Sequence, residues 1–240
     1  MTFKRLTRGL ALALLLTPVA AAAADQAAAA KPATTQDDEF SEANQLLFLQ
    51  DHLTQIAYPA RYVYARVRSG SADDFEDRIT MTTHNLPDSD AKHVAFSQTQ
   101  TEPGQQIDDV ENARGNPLIM VFLQSDVLEL AEATGGHWRY FQKQMKLALE
   151  NTAQVEPITV TFQGKPVDGR RISVKPYADD PERRQALGRY VGKTYEFILS
   201  DQVPGSIVEL RTSVPAEGNA GEPQVERLTL QSMEEIDIQG

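Results

Sequence analysis

Residues 114–151 read RGNPLIMVFLQSDVLELAEATGGHWRYFQKQMKLALEN, and their apolar spacing predicts two consecutive helices inside a chain that otherwise alternates in the manner of β-strands. Asn116 is an N-cap by residue type, and Pro117 follows at the first helical position, where its missing N–H removes a donor that no intrahelical acceptor serves. Gly135 and Gly136 stop the first helix, because glycine accepts the positive φ found just past a last helical turn. Helical periodicity resumes at once, so the economical reading is a tight αα-hairpin.

Within the first helix, residues 118–123 are apolar on every side and are expected to be buried all round. At about 100° per residue, Ile119, Phe122, Leu123 and Leu130 continue the apolar stripe, while Gln124, Ser125, Glu129 and Glu132 lie away from it. Asp126 falls inside the stripe. A buried carboxylate needs a partner, and the candidates are Arg66, Arg68 and Arg139. In the second helix Trp138, Phe141, Met145, Ala148 and Leu149 form one face; Arg139, Lys143, Lys146 and Glu150 form another. That basic face has two readings: a landing site for anionic lipid or an acidic partner, or a solvated face with Lys146 and Glu150 paired at i,i+4 and Glu129 and Glu132 close by.

Ahead of the hairpin, Ala43, Leu46, Leu49, Leu53 and Ile56 recur at helical intervals, predicting a helix that ends before Tyr58-Pro59 with His52 at its solvated edge. RYVYARVRSGS then reads as a strand whose apolar face is Val63, Ala65 and Val67, turning at Ser69-Gly70-Ser71 into FEDRITMTT, where Phe75, Asp77, Ile79, Met81 and Thr83 share a face. Residues 85–91 read as a loop, residues 93–99 as a third strand carrying Val94 and Phe96, and Pro103-Gly104 as the close of the meander. Beyond the hairpin come ITVTF and RRISVKPY, with Asp168-Gly169 as the turn candidate between them. A short helical PERRQALGRY follows, then KTYEFILS and GSIVELRTSV joined by DQVPG. After a loop over residues 217–222 the last strand runs over residues 224–238. The fold class is therefore α+β: an antiparallel, strongly curved sheet of about eight strands, with an N-terminal helix and the central αα-hairpin packed on one face.

The chain opens with Lys4, Arg5 and Arg8 ahead of the apolar run LALALLL at residues 10–16, followed by Ala-x-Ala options ending near Ala24. This pattern reads as a secretory signal peptide over residues 1–24, too short for a membrane span. Residues 25–39 are small, polar and broken by Pro32, and read as a disordered tether. Residues 40–240 then form a single domain, exported and periplasmic, with no transmembrane segment in the mature chain. The absence of cysteine excludes both lipobox anchoring and disulfide stapling. Removing Lys4, Arg5 and Arg8 leaves 20 Lys+Arg against 34 Asp+Glu, a formal charge of −14, which makes nucleic acid an unsuitable partner.

No motif assigns a chemistry. Ser69 and Ser71 lie outside any G-x-S-x-G elbow, and the acidic pairs Asp73-Asp74, Asp108-Asp109 and Asp179-Asp180 read as solvated loops. His52, His84, His93 and His137 lack metal-ligand spacing, so neither cofactor nor metal is expected. The helix-then-meander layout resembles the half-open barrels of the periplasmic lipoprotein carriers. The resemblance is architectural, since that family's arginine-containing early-strand motifs are not matched by RYVYARVRSG, and no functional residue carries over. YEFILSDQVPGSIVELRT is similar to segments of secreted proteobacterial proteins, which implies a location and no chemistry.

Three classes of function remain. A carrier of an apolar or amphiphilic envelope ligand would use Trp138, Tyr140, Phe141 and Asp126; an envelope adaptor would present Arg139, Lys143 and Lys146 to a partner protein; a hydrolase would need a polar constellation assembled only in three dimensions.

Overall fold

The computed structural model describes residues 40–99, 106–216, 218 and 221–237. Its strands are β1 (Ala60–Ser69), β2 (Phe75–Leu86), β3 (Ser89–Gln98), β4 (Val110–Ala113), β5 (Gln154–Phe162), β6 (Lys165–Val174), β7 (Thr194–Leu199), β8 (Ile207–Val214) and β9 (Gln224–Glu235). They form one antiparallel sheet in the order β4-β3-β2-β1-β9-β8-β7-β6-β5, so the last strand joins the first meander to the second. The sheet stays open, with β4 and β5 as its edges. Bulges at Val63/Tyr64, against β9, and at Ile198/Leu199, against β8, put local bends into it.

The helices are α1 (Glu42–Asn44), continuing into a π-helical turn over Gln45–Leu49, then α2 (Leu118–Thr134), α3 (Trp138–Asn151) and α4 (Arg184–Leu187). Asn116 Oδ1 accepts from the Leu118 N–H at 3.1 Å, which caps α2 as its residue type predicts. Gly135 closes α2 at φ +64°, and His137 Nδ1 accepts from the Arg139 N–H at 3.2 Å to start α3. The αα-hairpin is therefore as read from the sequence. Its apolar stripes join one core with the inner face of the sheet: Phe122, Leu130, Phe141 and Leu149 lie in the same buried cluster as Tyr62, Tyr195, Phe197 and Leu210. The class is α+β, with helices covering one sheet face.

Several expectations need correction. The strands number nine, because Val110–Ala113 pairs with β3 as an extra edge. On β1 the buried side chains are Tyr62 and Tyr64, both fully buried, while Val67 is exposed and Val63 and Ala65 are half-buried. The reason is size: a tyrosine ring brings roughly 150–250 Å² of burial, more than valine or alanine offers, and its hydroxyl tip does not reverse the balance. The β5–β6 turn is Gln163-Gly164, both at positive φ (49° and 75°), and Asp168-Gly169 lies within β6. Gly169 stands opposite Ile158, where a Cβ would approach the Leu199 carbonyl oxygen to 2.9 Å. The N-terminal helix stops at Leu49, five residues after α1, and leaves Leu49 exposed. Met120 is half-exposed, so the first turn of α2 is not buried all round. Residues 85–91 are mostly strand, β2 and β3 meeting at a two-residue turn with Asp88 at φ 53°. The last strand ends at Glu235. Pro103-Gly104, half of the 217–222 loop and the leader with its tether lie outside the described residues.

Candidate functional site

The most chemically loaded region lies where α2 crosses β7. Asp126 is 7% exposed and sits inside the apolar stripe as its helical phase requires. Its carboxylate takes the ammonium of Lys193 on one oxygen and the hydroxyl of Tyr195, at 2.5 Å, on the other. Neither Arg66, Arg68 nor Arg139 is the partner, contrary to the sequence expectation; Arg66 and Arg68 are engaged by Glu226. Tyr177 extends the network, its hydroxyl 3.1 Å from that of Tyr195 and its ring edge-to-face with Phe141 at 5.6 Å. Burial, and then the Asp126 carboxylate, push both tyrosines' pKa well above the ordinary value, so both remain neutral donors.

Trp138, Tyr140 and Phe141 do not act as one group. Phe141 is 1% exposed and fills core; Trp138 is half-buried against the core with Arg139 stacked over its ring at 5.0 Å; Tyr140 donates to Asp180 at 2.7 Å under the Arg183 guanidinium. Arg139, Lys143 and Lys146 all lie exposed along α3. Glu150, the expected partner of Lys146, accepts instead from the Ser41 N–H and the Asn44 amide, tying α1 to the end of α3.

On the inner face of β1, Tyr62 is fully buried and its hydroxyl has no hydrogen-bond partner among the described residues. The Tyr64 hydroxyl lies near the Asn116 amide without hydrogen-bond geometry. Further along the strand, Arg66 Nε reaches Glu226 at 2.7 Å and Arg68 reaches Glu226 at 2.6 Å and Glu129 of α2 at 2.5 Å; both guanidinium groups stack on Phe75 at 4.9 Å. Burial opposes the Glu226 charge, but Arg66 and Arg68 outweigh it and hold that carboxyl below its usual range.

His52 is buried, not solvated as its place in the sequence suggests. Its Nε2 donates to the Leu46 carbonyl at 2.8 Å and its Nδ1 accepts from the Asn116 N–H at 3.0 Å, so it pins the start of α2 to the N-terminal segment. Burial lowers its pKa below 6.5. Beside it lies a polar cleft of about 150 Å³, lined by residues that include Gln50, Tyr58, Asp201 and Ser206. His84 and His93, nine residues apart, stack at 5.7 Å across the β2–β3 ladder, with Asp109 and Glu111 each 3.6 Å from His93 Nε2. The described residues hold no group of three or more His, Cys, Asp or Glu disposed to hold a metal ion. Asp74 accepts from Ser71 in the β1–β2 turn, which gives Ser71 a structural role.

No described protein family and no curated protein matches the chain. Among solved structures it is similar to LprF from Mycobacterium bovis, at TM-score 0.29 and 10% identity over 81% of this chain and 94% of that one. It is also similar to a domain from Vibrio parahaemolyticus named for outer membrane lipoprotein sorting, at TM-score 0.26 and 8% identity over 82% and 92%. Both likenesses are of chain layout, and neither carries an activity to this chain. No described helix is long and apolar enough to cross a membrane.

Proposed function

We propose that this is a non-enzymatic envelope protein, exported to the periplasm after cleavage near Ala24, which holds an apolar or amphiphilic ligand between the inner sheet face and the α2–α3 hairpin. The observation that carries this reading is the Tyr62 hydroxyl. A buried polar group without a partner costs about 1–3 kcal/mol, and native proteins seldom keep one unless something supplies the missing bond. Tyr62 is such a group, on the sheet face that the helices cover. An amphiphile brings both halves of what the site needs, an apolar body and a polar atom for the hydroxyl. Phe141, Tyr177 and Tyr195 already fill their share of the core, so the ligand enters as the hairpin lifts. The Asp126–Lys193 pair is then the polar latch that opens, Gly135-Gly136 is the flexible point, and Trp138 and Tyr140 stand at the rim.

Native mass spectrometry on protein purified from its own envelope tests this. The wild type is expected to retain a lipid-sized adduct, and Tyr62→Phe to lose it while the ligand-free form gains about 1 kcal/mol in stability from the removed orphan hydroxyl. An adduct-free wild type, or an adduct retained unchanged by Tyr62→Phe, overturns the reading.

A further inference from the structure

The outer side of the α2–α3 hairpin has a character that the inner ligand site does not explain. Among the described residues seven large apolar side chains are exposed, and six of them (Phe40, Phe48, Leu49, Met120, Leu128 and Leu147) belong to the helical layer and its lead-in. The hairpin also exposes Arg139, Lys143 and Lys146. Of its acids, Asp126 is paired with Lys193 and Glu129 with Arg68, while Glu132 and Glu150 stay outward, Glu150 accepting only from the uncharged Ser41 N–H and Asn44 amide. In a chain of formal charge −11 this face carries three cations against two outward carboxylates, a local excess of positive charge. Along α3, Arg139, Lys143, Lys146 and the exposed Leu147 stand at i, i+4, i+7 and i+8 and so share one side of the helix, an apolar side chain among basic ones.

We propose that this face docks the protein onto a bilayer containing anionic phospholipid. The interleaving is what an interfacial helix face requires: leucine and methionine side chains enter the headgroup region while lysine stems lie along them and their ammonium groups remain among the phosphates. A protein partner of acidic character would instead be met by a groove or by a contiguous apolar patch with a charged rim, and single apolar residues set between lysines and glutamines offer neither. Charge also fixes the orientation. The net acidic molecule is repelled from an anionic surface as a whole, so it approaches with this basic side leading. Docking in that pose turns the helical layer toward the lipid, and the proposal stands whether or not the inner site holds a ligand.

The chain's single tryptophan, Trp138, lies in the first turn of α3 on this hairpin and serves as the reporter. Full-length protein is mixed with vesicles of phosphatidylethanolamine and phosphatidylglycerol carrying brominated acyl chains, and with phosphatidylcholine vesicles as the uncharged control. The expected result is quenching of Trp138 by the anionic vesicles only, weakened at high salt. Each basic residue contributes about fivefold to partitioning, so the Arg139→Gln/Lys143→Gln/Lys146→Gln variant is expected to bind about a hundredfold more weakly with its thermal melt unchanged. Leu128→Ser/Leu147→Ser is expected to weaken binding at all salt concentrations. Co-sedimentation without Trp138 quenching means that another part of the chain, such as the apolar leader, holds the vesicle, and overturns the proposal. Equal binding by the triple-Gln variant, or binding to an acidic protein with no response to anionic vesicles, overturns it as well.

Discussion

Asp126→Ala leaves the buried ammonium of Lys193 and the buried hydroxyl of Tyr195 without their acceptor, and breaking a buried pair from one side costs about 3–5 kcal/mol. The expected loss is of that size in urea unfolding, with Asp126→Ala/Lys193→Met recovering most of it, since removing both partners leaves no orphaned charge; a loss under 1 kcal/mol places the pair at the surface. That Asp126 is buried was legible from its helical phase, but its partner was not, because Lys193 lies 67 residues away, just ahead of β7, where only the folded sheet brings it to α2. His52 shows the same limit: helical spacing put it at a polar edge, whereas the helix ends early and the chain folds the ring inward against Asn116. Its Nδ1 accepts a hydrogen bond, which requires the neutral ring, and burial depresses its folded pKa below the unfolded value of 6.5. The unfolded state therefore binds the proton first. His52's contribution is complete above pH 6.5 and is lost as pH falls through its lowered folded pKa. The urea midpoint of the wild type is expected to drop between pH 7.5 and 5 by more than that of His52→Gln; parallel pH profiles for the two proteins would show that His52 does not titrate in this way.

At the scale of the element, the sequence is most informative where local chemistry and burial agree. The α2–α3 hairpin has a cap, a proline at the start, two glycines between its helices and a clean stripe on each, and all of these act within a few residues of one another. The β2 face is equally clear, since Asp77, Ile79, Met81 and Thr83 are buried and their neighbours are not. On β1 both faces are apolar by composition over residues 62–65, and the larger tyrosine rings take the buried face, which the alternation of apolar residues alone does not single out. The four-residue β4 has too few alternations to be read at all and exists because β3 offers it an edge. The candidate site suffers most from this. Its polar atoms come from α2, β1, β7 and the segment between β6 and β7 that carries Tyr177 and Lys193, and the Tyr62 hydroxyl is an orphan only because of what surrounds it in space.

At the scale of the whole molecule, the question is which part of the N-terminal stretch belongs to the fold. Composition says that residues 25–39 have little to bury, whereas Ala43, Leu47 and Leu53 are at most 2% exposed within the common core. The intervening contacts agree: Ser41 donates to the Leu149 carbonyl, Asn44 to Glu150, and His52 joins Leu46 to the start of α2. The segment from residue 40 to residue 54 therefore acts as a brace between the two ends of the helical hairpin, although little of it is regular helix. A chain starting at residue 40 is expected to melt with the full-length protein. A chain starting at residue 55 loses the burial of two leucines and an alanine together with both histidine hydrogen bonds. At about 1.5–3 kcal/mol per buried leucine side chain the loss is roughly 5 kcal/mol, a large part of the 5–15 kcal/mol that holds a typical domain folded. For a domain of this size that corresponds to a fall of about 10–20 °C in melting temperature. Circular dichroism melts of the three chains decide the matter: a shift on removing residues 1–39 would mean that the tether is part of the fold, and equal melting of the two shorter chains would mean that the brace contributes nothing.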